Sequence, residues 1–169
     1  MIKLLGAILI VAGCGGVGLY LAATYKKEEK SLQQLIRAFS IMENELEYRL
    51  TQLPDLCRLA AEACGGCVGV FLKELQIELE GQISANAETS VLSVLNRKMD
   101  MSRKTKELLL CWAHSLGKYD VQGQIKGITQ TRSLVEEELQ ILKSDKEVKL
   151  RNYRTFGFCA GAALAVLLM

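Results

Sequence analysis

The chain has 169 residues, with 21 lysines and arginines against 19 aspartates and glutamates, for a net charge of +2. A balance this close to neutral argues against a nucleic-acid binder, which carries a basic face to neutralise phosphates. A single proline and few aromatics favour an all-helical chain over a sandwich or barrel, and six unevenly spaced cysteines suit a reducing compartment better than a disulfide framework.

Leu4 to Tyr25 is 22 residues without a charge, bounded by Lys3 and by Lys26 and Lys27. That meets the roughly 20-residue requirement for a bilayer-spanning helix. Two rival readings exist. Val11-Ala12-Gly13-Cys14 resembles a bacterial lipoprotein cleavage box, which would lipidate Cys14 and make the rest an extracytoplasmic helical binding domain. Ala22-Ala23 would be the small residues of a cleaved secretory signal. Against the first, apolar residues continue past Cys14 through Val17, Leu19, Tyr20, Leu21 and Ala23, where a mature lipoprotein turns polar. The uncleaved anchor is the favoured reading.

No breaker follows, so the helix is expected to run to about Leu50. Leu32, Leu35, Ile36, Phe39, Met42, Leu46 and Leu50 fall at three-and-four spacing, with Glu28, Gln33, Arg37, Glu43 and Glu47 on the other side. Thr51-Gln52-Leu53-Pro54 is a stop-and-restart signal, because proline suits the first turn of a helix and disfavours helix just before it. A short helix is expected over Pro54–Ala63, ended by Gly65-Gly66, and another over Val68–Glu80 with Phe71, Leu72, Leu75 and Leu79 inward. After a loop over Gly81–Asn86 comes a weaker helix carrying Val91, Leu92, Val94 and Leu95. Asn96–Ser102 is a connection. Ser102 caps a helix with Leu108, Leu109, Trp112 and Leu116, closed by Gly117. Asp120 caps the last element, in which Ile125, Ile128, Val135, Leu139 and Leu142 follow a seven-residue repeat interrupted by Arg132.

With no proline or glycine between Ile128 and Gly157, this helix is expected to enter the membrane. Phe156 to Met169 is 14 uncharged residues, preceded by Arg151, Tyr153 and Arg154. Even with Thr155 it makes only about 22 Å of helix, against a hydrocarbon core of about 30 Å. It spans if Tyr153 and Arg154 snorkel at one interface and the bilayer thins locally. Gly157, Gly161 and Ala165 recur every four residues as a small-residue packing face; Ala12 with Gly16, and Cys14 with Gly18, repeat the pattern. Lys26, Lys27 and Lys30, and Lys149, Arg151 and Arg154, lie on the inner sides of the two apolar ends. The positive-inside rule then puts the middle of the chain in the cytoplasm and both termini outside. The expected organisation is an anchor over 1–25, a helical bundle over 26–154 and a second anchor over 155–169.

Chemistry is sparse. His114 is the single histidine; with Cys111, Cys64 and Cys67 it allows a Cys3His zinc site to be drawn. Trp112 and Leu116 claim the inward face nearby, and cysteine is a common buried residue, so the bland reading is stronger. Cys64-Gly-Gly-Cys67 as a dithiol redox pair would need a strand before it, and a helix stands there instead. Glu136-Glu137-Glu138 is a solvated helix face. With no phosphate-binding loop and no nucleophile elbow, no catalytic residue, metal or cofactor is expected.

The order of features resembles the stage III sporulation protein AB family over nearly the whole chain. The likeness rests on the glycine-rich first anchor and on Glu45-Leu46-Glu47-Tyr48-Arg49-Leu50-Thr51-Gln52-Leu53-Pro54, similar to the family's acidic-Tyr turn ending in Leu-Pro. It continues with Leu116-Gly117-Lys118-Tyr119-Asp120 leading to Gln124, and ends with Arg151-Asn152-Tyr153-Arg154-Thr155-Phe156-Gly157. Cys64-Gly65-Gly66-Cys67 and Gly123 depart from it. The resemblance implies a non-enzymatic part of the mother-cell membrane complex facing the forespore. It further implies a domain like the cytoplasmic domains of the type II secretion platform protein, with the complex's secretion-type ATPase and other channel membrane components as partners. Homo-oligomers fit as well. Thr51, Leu53 and Pro54 in the turn, and Gly117, Asp120 and Gln124 before the last helix, are the candidate interaction residues.

Overall fold

The computed structural model describes the backbone of residues 2–81, 86–97, 100–116 and 120–168, and the side chains among them from Ala23 to Asp145. Six helices and no strand occur among the described residues: α1 (Ile2–Arg49), α2 (Leu53–Ala63), α3 (Gly66–Glu80), α4 (Ala87–Asn96), α5 (Arg103–Ala113) and α6 (Val121–Leu168). They form two compact units. One comprises residues 1–29 with 140–169, the other residues 30–139. Among the described residues no helix is long and apolar enough to cross a membrane. The two stretches expected to do so lie in the first unit, and their side chains, apart from those of Ala23, Thr24 and Tyr25, fall outside the described residues. So do those of Gly157, Gly161, Ala165, Arg151, Tyr153 and Arg154. Lys26 and Lys27 are exposed on α1.

In the second unit, α1 supplies the central stripe. Leu32, Leu35, Ala38, Phe39, Met42 and Leu46 are buried along one face, as their spacing requires. Each large apolar side chain buried there stabilises the fold by about 1.5–3 kcal/mol relative to exposure. The Phe39 ring meets Trp112 of α5 at 5.6 Å between centroids and 58° between planes, a favourable tilted geometry. Leu56, Cys57 and Ala60 of α2, Val68, Phe71, Leu72 and Leu75 of α3, Val91, Val94 and Leu95 of α4, Leu108, Leu109 and Ala113 of α5, and Ile128 and Val135 of α6 join the core.

Local chemistry starts each helix. Pro54 occupies the first turn of α2, where its missing N–H costs nothing. Asn86 and Thr89 form a reciprocal capping box on α4. Thr105 N–H donates to Ser102 Oγ at 3.1 Å at the start of α5, and Gly123 N–H donates to Asp120 Oδ1 at 2.9 Å at the start of α6. Gly66 has φ +61°, a left-handed conformation that suits glycine at the tight passage from α2 to α3.

Four expectations are corrected. Leu50 does not extend the apolar stripe; it ends α1 with φ 52° and is 67% exposed. Leu92 lies 40% exposed, outside the core of α4. α5 stops at Ala113, so Leu116, though buried, sits in the turn beyond it, and the closing Gly117 lies outside the described residues. Glu43 does not belong to a solvated face. It accepts hydrogen bonds from Thr129 Oγ1 at 2.6 Å and from Arg132 Nη1 at 2.7 Å, both on α6. Arg132 therefore interrupts the heptad pattern because it is the partner of Glu43, not because the seam is broken.

These contacts fix direction. Ser40 and Glu43 face Arg132 and Thr129, so α1 and α6 run antiparallel. Lys104 Nζ reaches Glu138 at 3.2 Å while Ser115 lies against Gly127, so α5 also runs antiparallel to α6. Arg97, at the end of α4, binds Glu74 Oε2 at 2.5 Å and the buried Glu78, tying α4 back to α3.

Two glycines sit too close to neighbouring chain to carry a side chain. A Cβ on Gly69 would stand 2.4 Å from the Cys64 carbonyl oxygen, and one on Gly127 would stand 2.4 Å from Ser115 Cβ. Gly69→Ala and Gly127→Ala are each expected to lower stability by about 1–3 kcal/mol in urea unfolding of the detergent-solubilised chain. Val70→Ala on the exposed side of α3 should change it by less than about 0.5 kcal/mol. Equal effects at all three positions would disprove the close-approach account.

Candidate functional site

Cys64 Sγ donates to the Gln34 carbonyl at 3.3 Å, and Cys67 Sγ lies 3.2 Å from Ser31 Oγ, so both dock the α2–α3 junction onto α1. Cys111 is exposed on α5, and His114 Nδ1 stands 2.6 Å from Glu88 Oε1 of α4. Among the described residues no three histidine, cysteine or carboxylate side chains converge to hold a metal. The four drawn zinc ligands are thus split between two places. α2 leads into Cys64-Gly-Gly-Cys67, so the strand a thioredoxin-like site needs is not the preceding element.

Burial sets the thiols' chemistry. It pushes the Cys57 thiol up to about 12. Burial also raises Cys64, an effect partly opposed by the Arg37 guanidinium. Both therefore stay protonated near neutrality.

The residues expected to make an interaction site serve the helix ends. Thr51 Oγ1 donates to Glu45 Oε2 at 3.2 Å. Leu53 and Pro54 are half-buried in the first turn of α2. Asp120 caps α6, and half-buried Gln124 donates its backbone N–H to the Asp120 carbonyl at 2.9 Å. Gly117 lies outside the described residues. The structure nonetheless brings the two segments together. From Glu43 to Arg49 is about 9 Å of helix and from Thr129 to Val121 about 12 Å. Because the helices are antiparallel, the 50–54 turn and the start of α6 share one end of the bundle. That end also displays Tyr48, Leu50 and Val121, at 78%, 67% and 37% exposure. Spacing had placed Leu50 in the core stripe, and only its φ separates it from the rest. Tyr48 was marked in the sequence only as the tyrosine of the family-like acidic-Tyr turn.

Two open grooves also occur among the described residues. One, of about 500 Å³, runs along α2 and α3 past Arg58, Cys64, Gly65, Gly69, Val70 and Lys73. The other, of about 510 Å³, lies between α5 and α6 beside Cys111, His114, Ser115, Lys126 and Gln130.

The family described as stage III sporulation protein AB matches residues 3–169. The stage III sporulation protein AB of Bacillus subtilis (strain 168) is 26% identical over 172 residues, covering 100% of both chains. A solved structure of a stage III sporulation protein AB superposes with a TM-score of 0.64 at 19% identity, over 72% of this chain and 98% of that one. The structural likeness shows a shared helical fold.

In a Cys14→Ser, Cys159→Ser variant at pH 8, a thiol reagent should modify exposed Cys111 first and Cys67 and Cys64 more slowly. Cys57 should react on the order of a hundredfold more slowly still, or only on unfolding. The raised folded-state pKa of Cys57 adds a pH signature. Its stability contribution is complete below about pH 9, the unfolded value. It is lost as pH rises from there to about 12, because only the unfolded chain ionises in that window. Mass spectrometry of timed labelling checks the order, and early reaction at Cys57 would contradict the described core.

Proposed function

The chain belongs to the stage III sporulation protein AB family, and from that membership we propose that it is a non-enzymatic membrane platform in the secretion-like channel complex between mother cell and forespore. The observation that carries this reading is the extent of the match, residues 3–169. It takes in the bundle and both apolar ends as one unit. The relatives are named as sporulation proteins and none as an enzyme.

On this reading 1–25 and 155–169 anchor the chain in the mother-cell membrane that faces the forespore, with the bundle in the cytoplasm and both termini outside. Lys26, Lys27, Arg151, Tyr153 and Arg154 sit at the headgroups. Gly157, Gly161 and Ala165 give a face on which membrane helices of this or another channel component pack. The bundle docks the complex's secretion-type ATPase, with Thr51, Leu53, Pro54, Gly117, Asp120 and Gln124 shaping the contact end. A chain without a phosphate-binding loop acts here by passing on movement generated by a partner that has one. The compact core and the Glu43–Arg132 ion pair support such a role, because a transmitting element must resist deformation.

Cys111 is an intrinsic topology reporter. In a Cys14→Ser, Cys64→Ser, Cys67→Ser, Cys159→Ser variant that retains buried Cys57, a membrane-impermeant maleimide applied to mother-cell protoplasts should label Cys111 only after lysis. Labelling in intact protoplasts would overturn the cytoplasmic platform. The wild-type protein would then be examined by mass spectrometry for a lipid on Cys14, the mark of the lipoprotein reading.

A further inference from the structure

The last turn of α1 carries two features that packing does not explain. Leu50 adopts φ 52°, the left-handed region in which glycine or asparagine closes a helix without strain. Its side chain gains no burial in return, being 67% exposed. Two residues earlier, Tyr48 is 78% exposed and its hydroxyl has no partner among the described residues. Val121, 37% exposed, lies at the same end of the bundle. A strained backbone that holds large apolar side chains in water marks a contact surface.

Charge selects the kind of partner. Arg49 is engaged by Glu45 at 3.5 Å, and Arg58 by Asp55 and Glu62 at 3.4 and 3.2 Å. Glu47 is exposed and has no partner among the described residues. Exposed Asp120 accepts a backbone N–H on its carboxylate and meets no cation among the described residues. The uncompensated charge around the apolar tip is therefore negative among the described residues. Two such tips would repel one another, and an anionic membrane surface would repel them as well.

We propose that Tyr48, Leu50 and Val121 form the anchor of a docking surface for a protein partner that offers an apolar cleft with a basic rim. Resting on the function proposed above, that partner is the secretion-type ATPase of the same complex. Tyr48 is the central anchor, a residue type that dominates interface energetics, and Glu47 and Asp120 set orientation at the rim. Thr51, Leu53 and Pro54 hold the turn that presents it.

The test measures binding of the purified ATPase to the full-length chain in nanodiscs. Tyr48→Ser and Leu50→Gly should each weaken it by about tenfold or more. Glu47→Lys should weaken it by about threefold or more and reduce its dependence on salt. Leu50→Gly separates docking from folding, because glycine relieves the left-handed strain and should leave Tm equal to or above wild type while binding falls. If the wild-type chain binds the ATPase and both Tyr48→Ser and Leu50→Gly bind equally well, the tip assignment is overturned and the platform reading stands. If the wild-type chain does not bind the ATPase, both are overturned. A fall in self-association with ATPase binding unchanged would assign the tip to copies of this chain and overturn the proposal.

Discussion

The register between α1 and α6 is the constraint on which the bundle depends. An apolar stripe supplies attraction but little discrimination, since a helix can slide by one turn against its neighbour and still bury leucines. Glu43 removes that freedom. It meets Thr129 and Arg132 together, and Ser40 lies against the same guanidinium at 3.4 Å. A one-turn slip would leave a mostly buried carboxylate without its cation, a cost far larger than one misplaced methyl group. Polar residues at a seam position commonly fix register in this way at some expense in stability. The Phe39–Trp112 contact then ties α5 to the same level of α1.

Once that register is set, the small residues take their meaning from it. Cys64, Gly65, Gly66, Cys67 and Gly69 cluster where α2 turns into α3 beneath α1. Gly69 lets the α3 backbone approach the Cys64 carbonyl, and the two thiols rest on Ser31 and Gln34. The motif that reads as a metal or redox signature packs the α2–α3 junction against α1. Small, weakly polar side chains let a tight interhelix passage press against another helix. The Trp112 indole shows the tolerance of the same core in another way, since its Nε1 has no hydrogen-bond partner among the described residues and the ring is held by packing.

Much of this was legible in the sequence, and what was not has a common cause. Helix starts at Ser102 and Asp120 were readable because a cap is a local event, decided within three residues. The core face of α1 was readable because burial leaves a period. Glu43 and Arg132 were not, because 89 residues separate them and periodicity records that a position faces inward without naming what it faces. Leu50 failed in the opposite sense. Its spacing continues the stripe, yet the helix ends one residue earlier, and a single left-handed dihedral turns its side chain out. Of the interaction residues read from family-like motifs, Thr51, Leu53 and Pro54 lie in or beside that turn and Asp120 and Gln124 at the start of α6.

The energetics of the α1 terminus depend on its surroundings. In the free chain the left-handed leucine costs on the order of 1–2 kcal/mol, and the Thr51–Glu45 hydrogen bond offsets about 1 kcal/mol of that. Burying the Leu50 side chain against another surface contributes about 1.5–3 kcal/mol, enough to offset the remaining strain. The conformation that is unfavourable in isolation therefore becomes favourable in contact. Because the turn is already held by Thr51 and Pro54, little ordering entropy is lost on contact, and most of that burial energy is available for association.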